Sequence, residues 1–125
     1  MNTRILLTAC ALSLAIGGAA LLFVPDFFAP EPSGLVGFLP YQLLGALYLG
    51  FAGINWMSRY SPIGGIYQRP LVVGNFTHFL VGGLLLIKLM VVAAPTPTLL
   101  WIPTGLYLAF SAAFSWLLFH GPVKP

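Results

Sequence analysis

Five polar residues lie around the middle of an otherwise apolar sequence, and their types suit ligand binding. They are Asn55, Arg59, Arg69, Asn75 and His78. Amide and imidazole groups hydrogen-bond polar headgroups, and arginines hold anionic groups. We therefore predict a site for a membrane partner, a lipid or a quinone headgroup. The structural alternative is an ordinary interfacial belt of arginine and aromatic residues, with Asn75 and His78 bonding across helices.

A second, smaller polar group comprises Asp26, Gln42 and Lys88. Counting along the apolar runs puts Gln42 and Lys88 at a similar depth, on the side of the membrane that carries Asp26. One interpretation is structural: the lysine buries its stem and extends its ammonium to the membrane surface. The alternative is a charge-lined cavity that opens to the outer side.

The sequence lacks the motifs that support catalysis or cofactor binding. It contains no HExxH, no GxSxG and no Gly-rich phosphate loop, and no Asp or Glu lies within an apolar run. His78 has no second ligand at a metal-binding spacing. The one cysteine, Cys10, excludes an internal disulfide and any CxxC motif. We expect no catalytic residue, no metal site and no cofactor.

Charged residues are scarce throughout the chain. Only 6% of the 125 residues are charged, and 59% are hydrophobic. A soluble domain devotes about a quarter of its residues to Asp, Glu, Lys and Arg, so the composition argues against a soluble enzyme or a disordered tail. The net charge of +3 comes from too few residues to form the basic patch of a nucleic-acid-binding protein. Nucleic acid is therefore not an expected partner.

Four apolar runs are each long enough for a helix that crosses the hydrocarbon core, which takes about 20 residues. They cover residues 5–24, 37–57, 71–93 and 99–119. Turn and breaker residues separate them, and only the third contains a charge, Lys88. The runs do not alternate apolar and polar residues as barrel strands do. The sequence predicts one all-α membrane domain over residues 1–125, a polytopic bundle of four transmembrane helices.

The first apolar run could also be a targeting segment, because Arg4 precedes it. A cleaved signal peptide has an apolar stretch of about 7–15 residues, whereas this run is nearer 20. Residues 7–10 look like a lipoprotein box, but too few apolar residues precede Cys10. We therefore expect the first run to remain as a helix.

The charges outside the apolar runs predict the orientation. One side carries four basic residues and the other two acidic ones: Arg4, Arg59, Arg69 and Lys124 against Asp26 and Glu31. Lysine and arginine in short loops are retained on the cytoplasmic side. We predict that both termini lie in the cytoplasm.

An internal repeat emerges when the chain is compared with itself at a shift of 65 residues. Arg4 then falls on Arg69, Gly17 on Gly82, and the Ala-Pro-x-Pro segments at 29 and 94 on each other. With short deletions, the Leu-Tyr-Leu-x-Phe segment that begins at 47 meets the one that begins at 106. We predict two parallel two-helix repeats, approximately 4–57 and 69–119, related by a pseudo-twofold axis along the membrane normal.

Small residues at four-residue spacing predict close contacts between helices. The four stripes are Ala9, Ser13 and Gly17; Ala46 and Gly50; Gly74, His78 and Gly82; and Gly105, Ala109 and Ala113. Such stripes fit packing within one bundle, and they equally fit dimerisation.

Three features of the chain are shared with a known family. They are its size, its layout of two plus two helices, and its Arg-bearing middle segment from Asn55 to Pro70. In these features it resembles the small four-helix bacterial inner-membrane proteins of the DoxX-like kind. Members of that group are often membrane subunits beside redox enzymes. The resemblance implies an accessory role in a bacterial inner (plasma) membrane, and it transfers no catalytic residue.

We therefore predict a non-catalytic accessory or assembly subunit, with the lipid bilayer around it. Its partner would be another membrane protein, a second copy of the chain or a lipid. One alternative is a small oligomeric transporter or channel subunit that uses Lys88 and Gln42. A third hypothesis is a quinone-linked redox subunit centred on His78.

Overall fold

The computed structural model describes residues 2–29, 34–61, 68–92 and 98–120, and within them every regular element is helical. The four α-helices are α1 (Thr3–Phe23), α2 (Gly34–Ser58), α3 (Arg69–Val92) and α4 (Trp101–Phe119). Short 3₁₀ turns cover Pro25–Phe27 and Thr98–Leu100. The prediction of an all-α fold with four membrane-length helices is confirmed.

Local sequence signals explain where several of these helices begin and end. Asn2 caps α1, because its side-chain oxygen accepts hydrogen bonds from the backbone N–H groups of Arg4 and Ile5 at 3.1 and 3.3 Å. Pro25 stands at the start of the 3₁₀ turn that follows α1. Pro70 lies in the first turn of α3, where a missing N–H leaves no helical bond unmade.

The chain divides into two compact units, Asn2–Ser61 and Pro62–Pro125, and each contains a pair of packed helices. We call α1 with α2 the first hairpin and α3 with α4 the second hairpin. Each hairpin has its own buried residues, so each is described by itself below.

The first hairpin is held by a close contact between two glycines. A Cβ atom at Gly18 would lie 2.8 Å from the backbone oxygen of Gly45, and a Cβ at Gly45 would lie 2.8 Å from the oxygen of Gly18. The small-residue stripes predicted Gly17 and Ala46 for this role. The backbone contact uses the immediate neighbour of each, while a Cβ atom at Gly17 would lie 3.4 Å from the Tyr48 ring. Because neighbouring residues are about 100° apart around a helix, this difference turns each helix to another face.

The second hairpin has an aromatic core. Phe79 of α3 is 2% exposed, and its ring centroid lies 4.9 Å from that of Phe110 and 6.0 Å from that of Phe114 on α4. Tyr107 packs edge-on against the same ring at 5.2 Å. Gly82 makes room for Tyr107, because a Cβ there would overlap the tyrosine ring.

Large apolar side chains also lie on the outside of all four helices. Ile16, Val36, Val91 and Phe119 are each more than two-thirds exposed. Contiguous apolar surface of this kind is rare on soluble monomers and fits contact with lipid chains. The length and hydropathy of the four helices are those of a multi-pass membrane protein.

Candidate functional site

Arg59, one of the predicted site residues, lies at the open end of the first hairpin, directly after α2. Its guanidinium stacks over the Trp56 ring at 3.5 Å and over the Tyr60 ring at 4.7 Å. Its Nη1 donates a hydrogen bond to the Trp56 backbone oxygen at 2.7 Å. These contacts hold the positive charge beside two aromatic rings rather than leaving it on a mobile side chain.

Arg4 reaches the same place from the start of α1. Its Nη2 donates to the Tyr60 hydroxyl at 3.1 Å, and its guanidinium lies 4.5 Å from the centre of the Tyr60 ring. Tyr60 therefore has two arginines beside it, one from the start of α1 and one from directly after α2. Arg4 was not predicted as a site residue, because it lies 55 positions before Arg59 and nothing in their local sequence links them.

The two arginines lower the pKa of the Tyr60 phenol below its ordinary value. The largest cause is hydrogen bonding by Arg59, followed by the positive charges of Arg4 and Arg59. Both causes favour the phenolate, and the solvent-exposed position of Tyr60 opposes them little. This end of the hairpin is therefore electropositive.

A groove of about 570 Å³ runs from these arginines along α1. We call it the basic groove. Arg4, Arg59 and Tyr60 line its polar end, and Ala9 and Leu12 line its apolar end. Among the residues that the structure describes, its lining contains two cations and no carboxylate.

Asn55, the other predicted site residue of the first hairpin, lies on α2 and is not among the residues that line the basic groove. It is fully buried, and its Nδ2 donates to the Phe51 backbone oxygen at 2.9 Å and to Cys10 Sγ at 3.5 Å. The Cys10 contact joins α1 to α2. Asn55 therefore forms a hydrogen bond between the two helices of the first hairpin. This is the structural role that was the alternative prediction for Asn75 and His78.

The other three residues of the predicted group belong to the second hairpin. Arg69 is the exposed first residue of α3. Asn75 is fully buried, and its Nδ2 donates to the Leu71 backbone oxygen one turn earlier, at 2.9 Å. The group predicted from sequence is therefore divided between the two hairpins, as Asn55 and Arg59 in the first and these three in the second.

His78 is half-buried and pairs with α4. Its Nε2 lies 3.1 Å from the Tyr107 hydroxyl, and its ring is 5.3 Å from the Tyr107 ring and 5.0 Å from that of Phe79. A tyrosine in the middle of an apolar helix needs a hydrogen-bond partner, which is the signal that could have predicted this pair. The contact is a polar link between α3 and α4.

The outer polar group is also distributed over both hairpins. Asp26 is exposed in the 3₁₀ turn after α1, and Gln42 is half-buried on α2. Lys88 is exposed on α3, four residues before the end of that helix at Val92. At 1.5 Å per residue, Lys88 lies about 6 Å from the end of α3, and a lysine side chain is long enough to extend its ammonium group to that end. Glu31, like Lys124 in the orientation argument, lies outside the described residues.

Within the described residues, no group of three or more His, Cys, Asp or Glu side chains is arranged to hold a metal ion. Comparison with protein-family models, with curated protein sequences and with solved structures gives no match.

Proposed function

We propose that this protein is a non-catalytic accessory or assembly subunit of a bacterial inner membrane, and that it binds a transmembrane helix of a partner protein on the outer face of α2. The observation that carries the proposal is the exposure of α2. In an apolar 18-residue segment of α2, only 11% of the segment is buried inside the protein, against 28–33% in the corresponding segments of the other three helices.

The exposed face of α2 contains a depression shaped to receive a helix. It has a volume of about 620 Å³ and is lined by apolar residues around Gly50, including Leu43, Ala46, Leu47 and Ile54. A Cβ atom at Gly50 would have no neighbour within 4 Å. Small residues let helix backbones approach closely where no hydrophobic effect drives association.

This face is distinct from the one that packs on α1. At about 100° per residue, Gly50 lies roughly 140–160° around α2 from the buried residues Ala52 and Asn55. The Ala46 and Gly50 stripe is therefore not used inside the first hairpin. Small residues on this side would allow the close approach of a partner helix.

An internal repeat, the second part of the proposal, is supported by matching burial in the two hairpins. The four buried residues of α3 each lie 65 positions after a buried residue of α1, as Val72 does after Leu7 and Gly83 after Gly18. The three buried residues of α2 each lie 59 positions before a buried residue of α4, as Gly45 does before Thr104. These are the shifts at which the sequence segments align.

Orientation with both termini in the cytoplasm is a further part of the proposal, supported by the positions of the charges. A reporter enzyme fused after Lys124 tests it. We expect a reporter that works only in the cytoplasm to be active in this fusion. Activity only of a reporter that works on the outer side would contradict the proposed orientation.

The partner interface is tested by substituting Gly50 with leucine in the full chain. Membranes are extracted in a mild detergent, and the complex is examined by size and intact-mass analysis. Overpacking of a close contact costs about 1–3 kcal/mol, so we expect Gly50→Leu to weaken a fixed-stoichiometry complex by roughly 5- to 150-fold.

The matched control is Ala112→Leu, which enlarges another exposed small residue on α4. It should leave the complex intact. Wild-type protein that is always monomeric, or a complex that survives Gly50→Leu, would overturn the proposed interface. A complex made only of this chain would overturn the accessory role.

A further inference from the structure

The geometry points to the basic groove of the first hairpin as a binding site for one anionic phospholipid, with its phosphate at Arg4 and Arg59 and an acyl chain along Ala9 and Leu12. This site lies at the end of the hairpin and does not depend on the proposed partner face of α2. It depends only on the chain being in a membrane.

The polar end of the groove carries the chemistry that a phosphate group needs. Each guanidinium has five N–H donors in a planar fork, and the bonds to Tyr60 and to the Trp56 backbone use only part of this set. The lining adds the hydroxyl of Tyr60 and no negative side chain. Two fixed positive charges without a carboxylate attract an anion rather than a neutral headgroup.

Tyr60 and Trp56 keep the two arginines in place. Stacking of Arg59 over both rings and the hydrogen bond from Arg4 to Tyr60 reduce the side-chain motion that binding would otherwise have to arrest. The amphipathic rings of tryptophan and tyrosine prefer the headgroup level of a bilayer. The site is therefore at the depth where a lipid phosphate lies.

The rest of the groove matches a lipid chain. Leu12 follows Arg4 by eight residues, which is about 12 Å along α1. Ala9, between them, is small and exposed, so it leaves a channel rather than a ridge. A soluble anion would use only the arginine end, whereas a phospholipid fills both ends.

Trp56 gives a local probe, because its ring lines the groove. In a Trp101→Phe/Trp116→Phe background, Trp56 is the only tryptophan of the chain. The full chain is reconstituted in vesicles of phosphatidylcholine that contain a small fraction of brominated phosphatidylglycerol or brominated phosphatidylcholine with the same chains. Quenching is normalised to the same lipids without bromine.

We expect brominated phosphatidylglycerol to quench Trp56 at lower mole fraction than brominated phosphatidylcholine. Each basic residue near an anionic surface strengthens such binding by about fivefold, so Arg4→Gln and Arg59→Gln should each reduce the preference by about that factor. The control Lys88→Gln removes an exposed positive charge that does not line the groove, and this variant should retain the preference.

A second variant, Ala9→Phe, fills the apolar end and leaves both arginines in place. It should reduce quenching by both brominated lipids, and circular dichroism checks that the helices remain. Equal quenching by the two lipids, or a preference that survives the double arginine substitution, would overturn the site. Displacement by millimolar inorganic phosphate as effective as that by unbrominated phosphatidylglycerol would assign the groove to a soluble anion and also overturn it.

Discussion

The contact between Gly18 and Gly45 gives a sharp prediction, because the nearest atom that a methyl group would meet is a backbone oxygen. A Cβ atom at Gly18 would lie 2.8 Å from the Gly45 oxygen and 3.1 Å from Tyr48 Cβ. Neither atom can rotate away as the end of a side chain does. The two helices must separate by several tenths of an ångström to admit alanine.

Two opposing effects determine the free energy of unfolding of Gly18→Ala. Alanine favours the helix over glycine by about 1 kcal/mol. Overpacking of a tight contact costs about 1–3 kcal/mol, and separation of the helices weakens the dispersion contacts around it. We expect the clash to dominate, with a net loss of about 1–2 kcal/mol. Gly45→Ala should behave alike, and the double variant should lose less than the sum because both changes relieve the same contact.

The assay is reversible unfolding of the purified chain in mixed micelles, with Trp56 as the only tryptophan so that the signal reports the first hairpin. Gly53→Ala is the matched control, because a Cβ atom there would have no neighbour within 4 Å. That variant should be as stable as the wild type or slightly more so. If Gly18→Ala were as stable as Gly53→Ala, the close approach of α1 and α2 would be refuted.

Two further predictions concern polar contacts. Tyr107→Phe removes the hydroxyl that meets His78; because interhelical hydrogen bonds in membranes average about 0.6 kcal/mol, we expect the second hairpin to lose about 0.5–1.5 kcal/mol. Unfolding followed by Trp101 and Trp116 in a Trp56→Phe background measures this loss, and no change would mean that the bond adds nothing. Arg59→Gln should raise the pKa of Tyr60 towards about 10, since the largest cause that lowers it is removed. The pKa is measured as the midpoint of the tyrosinate absorbance against pH, after the signal of Tyr60→Phe is subtracted. A midpoint equal to that of the wild type would contradict the prediction. The pKa of Tyr60 is lower in the folded than in the unfolded protein. Its ionisation therefore begins to stabilise the fold as the pH rises through the native pKa, and the full contribution is present above about pH 10.

Membrane helices limit what the sequence can say about packing. The helices of a soluble protein show an apolar stripe that marks the buried face. Here lipid-facing and buried faces are both apolar, so hydropathy carries no information on helical phase. Small residues were the remaining signal, and they occur as adjacent pairs such as Gly17 with Gly18 and Gly45 with Ala46. The stripe rule selected one member of each pair. In the first hairpin the tight backbone contact uses the other member of each pair, whereas in the second hairpin the stripe residue Gly82 itself makes the close contact with Tyr107.

The candidate site shows the same limit. Arg59 was predicted as a site residue because arginines hold anionic groups, and the structure adds the stacking on Trp56 and Tyr60. Arg4 could not be joined to it by sequence, because the pairing depends on the antiparallel return of α2 along α1. Asn55 was predicted for the same site, yet its amide turns to Cys10.

The sequence by itself determined that the protein has four apolar helices of membrane-spanning length. The reason is that each segment must satisfy its backbone hydrogen bonds internally and present an apolar surface to lipid, which leaves a long uncharged run in the sequence. The tertiary structure decided which faces pack, which polar side chains find partners across a hairpin, and that Arg4 and Arg59 share one groove. Those properties depend on helix rotation and register, and in a chain that is apolar on every side only the fit of glycines, tyrosines and phenylalanines against one another sets them.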